Sequence, residues 1–582
     1  MLKIFSYLQK KEWGLVAISI VFIVVQVWLD LKLPDYMAEI TMLIQTEGTA
    51  VSDLIAPGSY MLLCAIGSMI AAIIVGYFAA QVAAGLARRL RGQVFEKTLS
   101  FSMAEMNHFS TPSLITRSTN DITQVQMLIA MGLQVVIKAP ILAIWAITKI
   151  ANKNLEWTAA TGVAVLVLIL LITVVIIFAI PKFRIIQTLT DNLNRVTREN
   201  LTGIRVVRAY NAEGYQQGKF DDANKELMDT NLYAMRLMAL IFPTMGLIMS
   251  GLSLSIYWIG AFLIHEANAM DRLPLFSNMV VFTSYAMQVV MAFMMVSMIF
   301  VMLPRAAVSA KRILEVLNMK NTILDGRVKA GNGAGTVEFR NVGFKYPGAE
   351  EAVLDGVTFS AKKGETIAFI GSTGSGKTTI LNLIPRLYDV SSGEVLLDGV
   401  NVKDYKQAAL REKIGYVSQS AVLFSGSVAS NVSYSDETPV TERVKQAVAI
   451  AQGQEFVEKL DGSYEGAIAQ GGKNVSGGQK QRLSIARAIY HQPDIYLFDD
   501  SFSALDYKTD RELRHALKDE TRDAITFIVA QRIGTIKEAD QIVVLEHGRI
   551  VGKGTHEELM KTCDTYQEIA YSQLSKEELG DE

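Results

Sequence analysis

Cysteine is almost absent from this 582-residue chain. Cys64 and Cys563 are the only two, far apart and in unlike surroundings, which excludes a disulfide framework and a thiolate metal site. The six histidines, His108, His265, His491, His515, His547 and His556, are scattered without a ligand spacing, so no histidine metal centre is expected. Charge of one sign is also lacking: 56 Lys and Arg stand against 58 Asp and Glu, and a net charge of −2 gives no argument for a nucleic-acid partner. Charged residues make up 20% of the chain and hydrophobic residues 50%, with a mean hydropathy of +0.26, so part of the chain must face lipid.

The apolar residues are concentrated in the first half. Uncharged runs from Trp13 to Leu29, Pro57 to Leu86, Thr158 to Ile180, Leu237 to Ile264 and Leu275 to Leu303 are each long enough to span a bilayer as a helix. A sixth run, about Ile122 to Thr148, is interrupted by Lys138 and Pro140. Basic residues set the orientation. Arg88, Arg89, Arg91, Lys97 and Arg117 lie between the second and third runs, and nine Lys or Arg fall from Lys182 to Arg236. The loop from Asp35 to Ala56 has none, and the other two outer loops contribute Lys149, Lys153 and Arg272. Both termini are therefore expected in the cytoplasm. The opening MLKIFSYLQKKEW lacks a small-residue cleavage pattern and is expected to form an amphipathic entry helix on the membrane surface. The two cytoplasmic stretches, the second patterned as helix from Asp191 to Glu226, predict spanning helices that continue into the cytoplasm.

The domains expected are a membrane domain over 1–317, a polar, glycine-rich linker over 318–336, and an α/β domain over 337–582, where short β-branched runs alternate with helical segments. In the last, the strand-like TIAFI leads into GSTGSGKTT and the helix-like ILNLIPRLY, which is a Walker A loop in its strand, loop and helix context. Gly371, Ser372, Thr373, Gly374, Ser375 and Gly376 supply a loop whose N–H groups can curl around phosphate. Lys377 reaches toward the β- and γ-phosphates, Thr378 provides a hydroxyl for Mg²⁺, and Thr379 follows at the helix start. A second strand-like run, IYLFDD, ends in Asp499 and Asp500, and Asp499 is assigned to Mg²⁺.

About 100 residues after the Walker loop, NVSGGQKQRLSIARAI resembles the signature motif of ATP-binding cassette (ABC) transporters. Six spanning helices followed by one cassette resemble an ABC exporter half-transporter over essentially the whole chain. The fold class this implies is a membrane α-helical domain of exporter type followed by an α/β P-loop ATPase domain. The resemblance implies that Tyr346 stacks on adenine and that Gln419 is the Q-loop glutamine at Mg²⁺. It also implies that Ser476, Gly477, Gly478 and Gln479 close over the nucleotide held by an opposite cassette, and that Asp506 ends a D-loop crossing between the two.

Two positions depart from the family pattern. Asp500 stands where a glutamate normally activates the attacking water, and Gln531 stands where the family has a switch histidine. Losing one methylene withdraws a carboxylate by about 1.5 Å, and a misplacement of order 1 Å can lower a rate about 10²-fold. A neutral amide donates a hydrogen bond but carries no charge and shuttles no proton. The signature differs from the commoner LSGGQ only at Val475. This asymmetry resembles the degenerate-site subunit of heterodimeric bacterial multidrug exporters. It implies a homologous partner half with glutamate and histidine at those positions, ATP and Mg²⁺ as cofactors, amphipathic drugs or lipid-like compounds as substrates, a plasma-membrane location and no nucleic-acid partner. The rival readings are a nucleotide-gated channel or regulatory subunit, and a homodimeric lipid or peptide exporter.

Two short segments are expected to couple the domains: FSTPSLITRSTND, as a transverse helix docking on a cassette, and Arg208 to Gly214 in the corresponding later place. Charges inside spans mark candidate substrate residues, Asp30, Lys32 and Asp35 near the outer end of the first helix and Lys138 in the third. The alternatives are that residues near helix ends snorkel and that Asp30 or Asp35 pairs with Lys138 or a partner residue. Met287, Met291, Met294, Met298 and Met302 recur at steps of four, three, four and four, hence on one helix face, as a pliable wall or as packing.

Overall fold

A computed structural model describes residues 2–46, 49–151, 154–268, 270–434, 436 and 438–573, with the backbone alone at 2, 184 and 297–301. Lys153 and the side chain of Met298 lie outside the described residues. The chain divides into two compact units, Met1–Leu99 with Thr111–Met319, and Ser100–Ser110 with Lys320–Glu582.

The first unit is helical. It contains α1 (Leu2–Phe5), α2 (Lys10–Gln45) and α3 (Val51–Leu99), while α4 (Met103–Phe109) belongs to the second unit. Next come α5 (Thr111–Ser118), α6 (Asn120–Ala151), α7 (Leu155–Thr202), α8 (Ile204–Ala209), α9 (Glu213–Ala239), α10 (Ile241–Glu266) and α11 (Arg272–Asn318). Six segments among the described residues are long and apolar enough to cross a membrane. Only 22% of the apolar window is buried in each of the first five, so most of that apolar surface faces outward, as lipid-facing helices require. Helix packing cannot then come from hydrophobic burial and relies on close approach of small side chains. On α3 the buried face reads Ala71, Val75, Ala79, Val82, Ala83, Leu86 and Ala87, and it packs against α2 and α6. The deepest part of the unit gathers Ile23, Val27 and Leu31 with Trp157, Phe282 and Tyr285.

Two expectations are corrected. The entry helix is a single turn, Leu2–Phe5, because the chain turns at residues 6–9 and a new helix starts at Lys10. The Pro-led segment is helical, as expected, in α5, and a separate short helix, α4, precedes it, set apart by Ser110 at φ 57°. The expected boundary at 317 groups residues 100–110 with the membrane helices, whereas they cluster with the second unit.

The second unit holds two main sheets. The strand order of the larger is Arg549–Gly554, Gln541–Glu546, Thr366–Gly371, Ile525–Val529, Ile495–Asp499 and Ile414–Val417, parallel except for the first, which pairs antiparallel at the edge. The smaller is antiparallel, in the order Leu354–Lys362, Thr336–Phe344, Ser392–Leu397, Val400–Asn401. Parallel strands buried on both faces read as continuous apolar runs, as IYLF and ITFIV do. Their carboxyl ends lie side by side, where open α/β sheets bind ligands.

Candidate nucleotide site

Strand Thr366–Gly371 ends in a loop that needs glycine. Gly371, Gly374 and Gly376 have φ of 150°, 85° and 101°, a region that residues with a Cβ rarely adopt. Helix Lys377–Leu383 begins immediately after Gly376. The Lys377 ammonium donates to the carbonyls of Gly371 at 2.8 Å and Ser372 at 2.7 Å, and lies 3.4 Å from Ser375 Oγ. Burial pulls the Lys377 pKa below its ordinary value, opposed by the carboxylates of Asp500 and Asp499.

Two strands away, Ile495–Asp499 delivers the acids. Asp499 is 2% exposed and accepts from Thr378 Oγ1 at 2.8 Å. Asp500 turns into a left-handed conformation with φ 47° and donates its N–H to the Val529 carbonyl at 2.9 Å. Burial raises both carboxyl pKa values, against hydrogen bonds from Thr378 to Asp499 and from Gln419, Ser503 and Gln531 to Asp500. The intervening strand, Ile525–Val529, pairs Val529 with Asp499, so Gln531 emerges beside Asp500. Gln531 Nε2 donates to Asp500 Oδ2 at 2.9 Å, and Gln419 Nε2 approaches the same oxygen at 3.3 Å.

One cavity of about 370 Å³ brings together Tyr346, Thr373, Gly374, Gly376, Lys377, Thr378, Thr379, Gln419, Asp499, Asp500 and Gln531, with Val353 and Val529. The Tyr346 hydroxyl lies 3.0 Å from Thr379 Oγ1. Its ring meets Tyr388 edge-on, with centroids 5.2 Å apart, and the Tyr388 hydroxyl accepts from Asn107 Nδ2 of α4 at 3.2 Å. Tyr388, the last residue of ILNLIPRLY, receives no role from the sequence because its contacts with Tyr346 and Asn107 are not local in sequence. Tyr416 is missed for the same reason, although its hydroxyl donates to Asn382 at 3.2 Å and burial pushes its pKa up to about 12.

The signature residues do not line this cavity. Ser476 caps helix Gly477–His491, its Oγ accepting from Gln479 N at 3.3 Å while Gln479 Oε1 accepts from Ser476 N at 2.8 Å. This reciprocal cap fixes the turn and leaves Gly477 exposed. Asp506 caps helix Tyr507–Glu520 by accepting from Thr509 N at 3.0 Å.

In the membrane unit, the charges are paired. Asp30 accepts from Lys138 at 3.1 Å and from Ser68, and Asp35 accepts from Lys149 at 2.8 Å and Tyr285 at 2.5 Å. Met291 is exposed, whereas Met287 and Met294 are half-buried, the latter against the helix core.

Comparison with known proteins extends these observations. Residues 16–293 match the family model described as ABC transporter transmembrane region, and residues 354–503 match that of the ABC transporter. An ABC transporter ATP-binding protein of Mycobacterium tuberculosis is 38% identical across 97% of this chain and 97% of its own. This chain belongs to the ABC transporter family. The ABC transporter ATP-binding protein YfiB of Bacillus subtilis is 34% identical, with 99% of each chain covered. An ATP-dependent lipid A-core flippase of Pseudomonas aeruginosa is 31% identical over 85% of this chain and 81% of that one. The fold is that of a bacterial Atm1-family ABC exporter solved with ATP bound, at a TM-score of 0.82, 21% identity, and coverage of 97% of this chain and 99% of that one. The chain is thus an ABC transporter subunit, a multi-pass half-transporter of exporter-type fold whose ATPase domain is coupled to transport.

Proposed function

We propose that this half-transporter pairs with a homologous, non-identical half in a bacterial plasma membrane, with both termini cytoplasmic, and that the site on its own Walker motifs hydrolyses ATP slowly. The observation that carries this reading is the Asp500 carboxylate, one methylene shorter than glutamate and tied at 2.9 Å to the neutral Gln531 amide. In this reading Tyr346 stacks on the adenine, and the N–H groups of the 371–376 loop, Lys377 and the helix start hold the phosphates. Thr378 Oγ1 and Asp499 Oδ1, already 2.8 Å apart, form with Gln419 an oxygen-donor set that suits a hard divalent cation. Bound Mg²⁺ would neutralise charge on the phosphates. Ser476, Gly477, Gly478 and Gln479 face the nucleotide of the other half, with Asp506 at the shared boundary. Closure of the two cassettes on ATP shifts the membrane domain between access states, and hydrolysis, mainly at the partner's site, resets it.

Amphipathic drugs or lipid-like molecules are the proposed substrates, with Met287, Met291 and Met294 offering a pliable wall. The pairing of Asp30, Asp35 and Lys138 supports a structural role for those charges over contact with substrate. The relatives that are lipid A-core flippases favour one further reading, a homodimeric lipid exporter. The deciding experiment purifies the chain alone and together with a co-expressed homologous half. The pair is expected to hydrolyse ATP and accumulate dye in inside-out vesicles, and the single chain to do neither. Brisk ATP turnover and pumping by the single chain would establish the homodimer, while dye flux without accumulation would establish a channel.

A further inference from the structure

A cavity of about 540 Å³ opens where the start of α2 meets α3, with Lys11, Leu15, Arg88, Gln93 and Glu96 among its walls. The apolar run of α2 starts at Trp13 and that of α3 ends at Leu86, so the cavity lies at the end of both runs, the depth of phospholipid headgroups. One pair of its charges is already committed. Arg89 donates to Glu12 at 2.8 and 3.1 Å and also to the Tyr7 carbonyl. Gly85 makes room for that pair, since a Cβ there would stand 2.6 Å from Glu12 Oε1. Lys11, Arg88 and Glu96, by contrast, have no ion pair or hydrogen bond among the described residues.

Two free cations and one free acid leave the cavity a charge of +1, which a single phosphodiester matches. Gln93 supplies an independent sign of a ligand. Its Oε1 is buried without a hydrogen-bond donor among the described residues, a desolvated acceptor that costs stability unless a bound group provides the hydrogen. Beside the charges, Leu15 lines the wall, and Trp13, 51% exposed, stands at the membrane boundary where acyl chains begin.

We propose that this cavity holds the headgroup of one anionic glycerophospholipid, with its phosphodiester on Lys11 and Arg88 and a headgroup hydroxyl donating to Gln93. The lipid is a resident ligand, and the proposal is independent of which substrate is transported. It clamps the entry to the first span against α3, where protein contacts alone leave two cations unmatched.

The test uses the full-length chain in detergent, washed free of lipid and titrated with dihexanoyl phosphatidylglycerol under native mass spectrometry. One saturable adduct is expected. The Lys11→Gln/Arg88→Gln variant alters two exposed side chains, so its melting by circular dichroism should be unchanged while its lipid affinity falls about tenfold. Phosphatidylcholine, and phosphatidylmethanol, which lacks the hydroxyl, should bind the unaltered chain more weakly than phosphatidylglycerol. Equal binding by the variant, equal binding of the three lipids, displacement of lipid by equimolar inorganic phosphate, or no adduct at all because another subunit covers the cavity, would each overturn the proposal.

Discussion

The Gln531 amide donates to Asp500 Oδ2 at 2.9 Å, and Gln419 shares that oxygen from 3.3 Å. The two positions that differ from the usual glutamate and histidine of the family thus meet in a single hydrogen bond. Residues in direct contact do not act independently, so neither departure has an energetic value of its own. A carboxylate oxygen occupied by two amide protons is also a weaker acceptor for a proton from water.

Restoring both positions should therefore achieve more than the sum of the parts. With the proposed partner's own Walker B glutamate replaced by glutamine, Asp500→Glu is expected to raise phosphate release about tenfold. Gln531→His alone should change little, because the carboxylate still falls short. The double substitution is expected to reach about 10²-fold. Steady-state phosphate release from the four proteins completes the cycle, and strictly multiplicative effects would show that the contact does not couple them.

A second expectation concerns α4. Glu105 is buried, which alone would raise its pKa. Hydrogen bonds from Ser102 N at 2.7 Å, Thr322 N at 3.0 Å and Thr322 Oγ1 at 2.7 Å instead hold the carboxyl below its usual 4.5. A lowered folded-state pKa means that this stabilisation is complete above the unfolded value and is lost as pH falls through the folded one. Protection of the amides over 103–109, measured as exchange relative to the intrinsic rate at each pH, should be high at neutral pH and fall on acidification below 4.5. Glu105→Gln should exchange faster at neutral pH, by about 1–3 kcal/mol in protection, and lose the acid dependence.

Asn107 and Tyr388 give a third. The Tyr388 hydroxyl bonds α4, and its ring meets the edge of Tyr346 in the nucleotide cavity. Tyr388→Phe removes the hydroxyl and keeps the ring. It should leave ATP affinity within about twofold while reducing transport per ATP consumed, since a neutral hydrogen bond contributes only about 1 kcal/mol. Vesicle uptake measured beside ATPase activity separates the two, and parallel losses would place Tyr388 in nucleotide binding instead.

Much of this was legible in the sequence because the information is local. Hydrophobic length alone marks the spans, and glycine spacing between a strand and a helix marks the phosphate loop. What escaped is set by strand order and chain reversal. Gln531 and Asp500 are 31 residues apart, and only the parallel pairing of Val529 with Asp499 brings them together. The proline after Ser110 marks the helix Thr111–Ser118, but the helix before it, Met103–Phe109, closed by the left-handed Ser110, carries no such signal. Tyr388 carries no pattern and is found through its contacts. The intramembrane charges were visible as exceptions to an apolar run, and the pairing of Asp30 with Lys138 was among those expected, whereas the pairing of Asp35 with Lys149 was not.

Those charges give the last expectation. Asp30 and Lys138 stand 3.1 Å apart, partly exposed at 26% and 18%, with Ser68 also donating to the acid. Removing one member leaves the other charge in an apolar setting, so Asp30→Asn is expected to lower stability by about 1–3 kcal/mol, less than for a fully buried pair. Replacing both with apolar side chains, Asp30→Leu with Lys138→Met, should recover most of that loss, because the desolvation penalty disappears along with the attraction. Thermal melting in detergent reads the stability, and vesicle transport reads the function. If the pair only joins α2 to α6, transport returns with stability in the apolar double variant. A double variant that melts like the unaltered chain yet moves nothing would make the charges part of the substrate path.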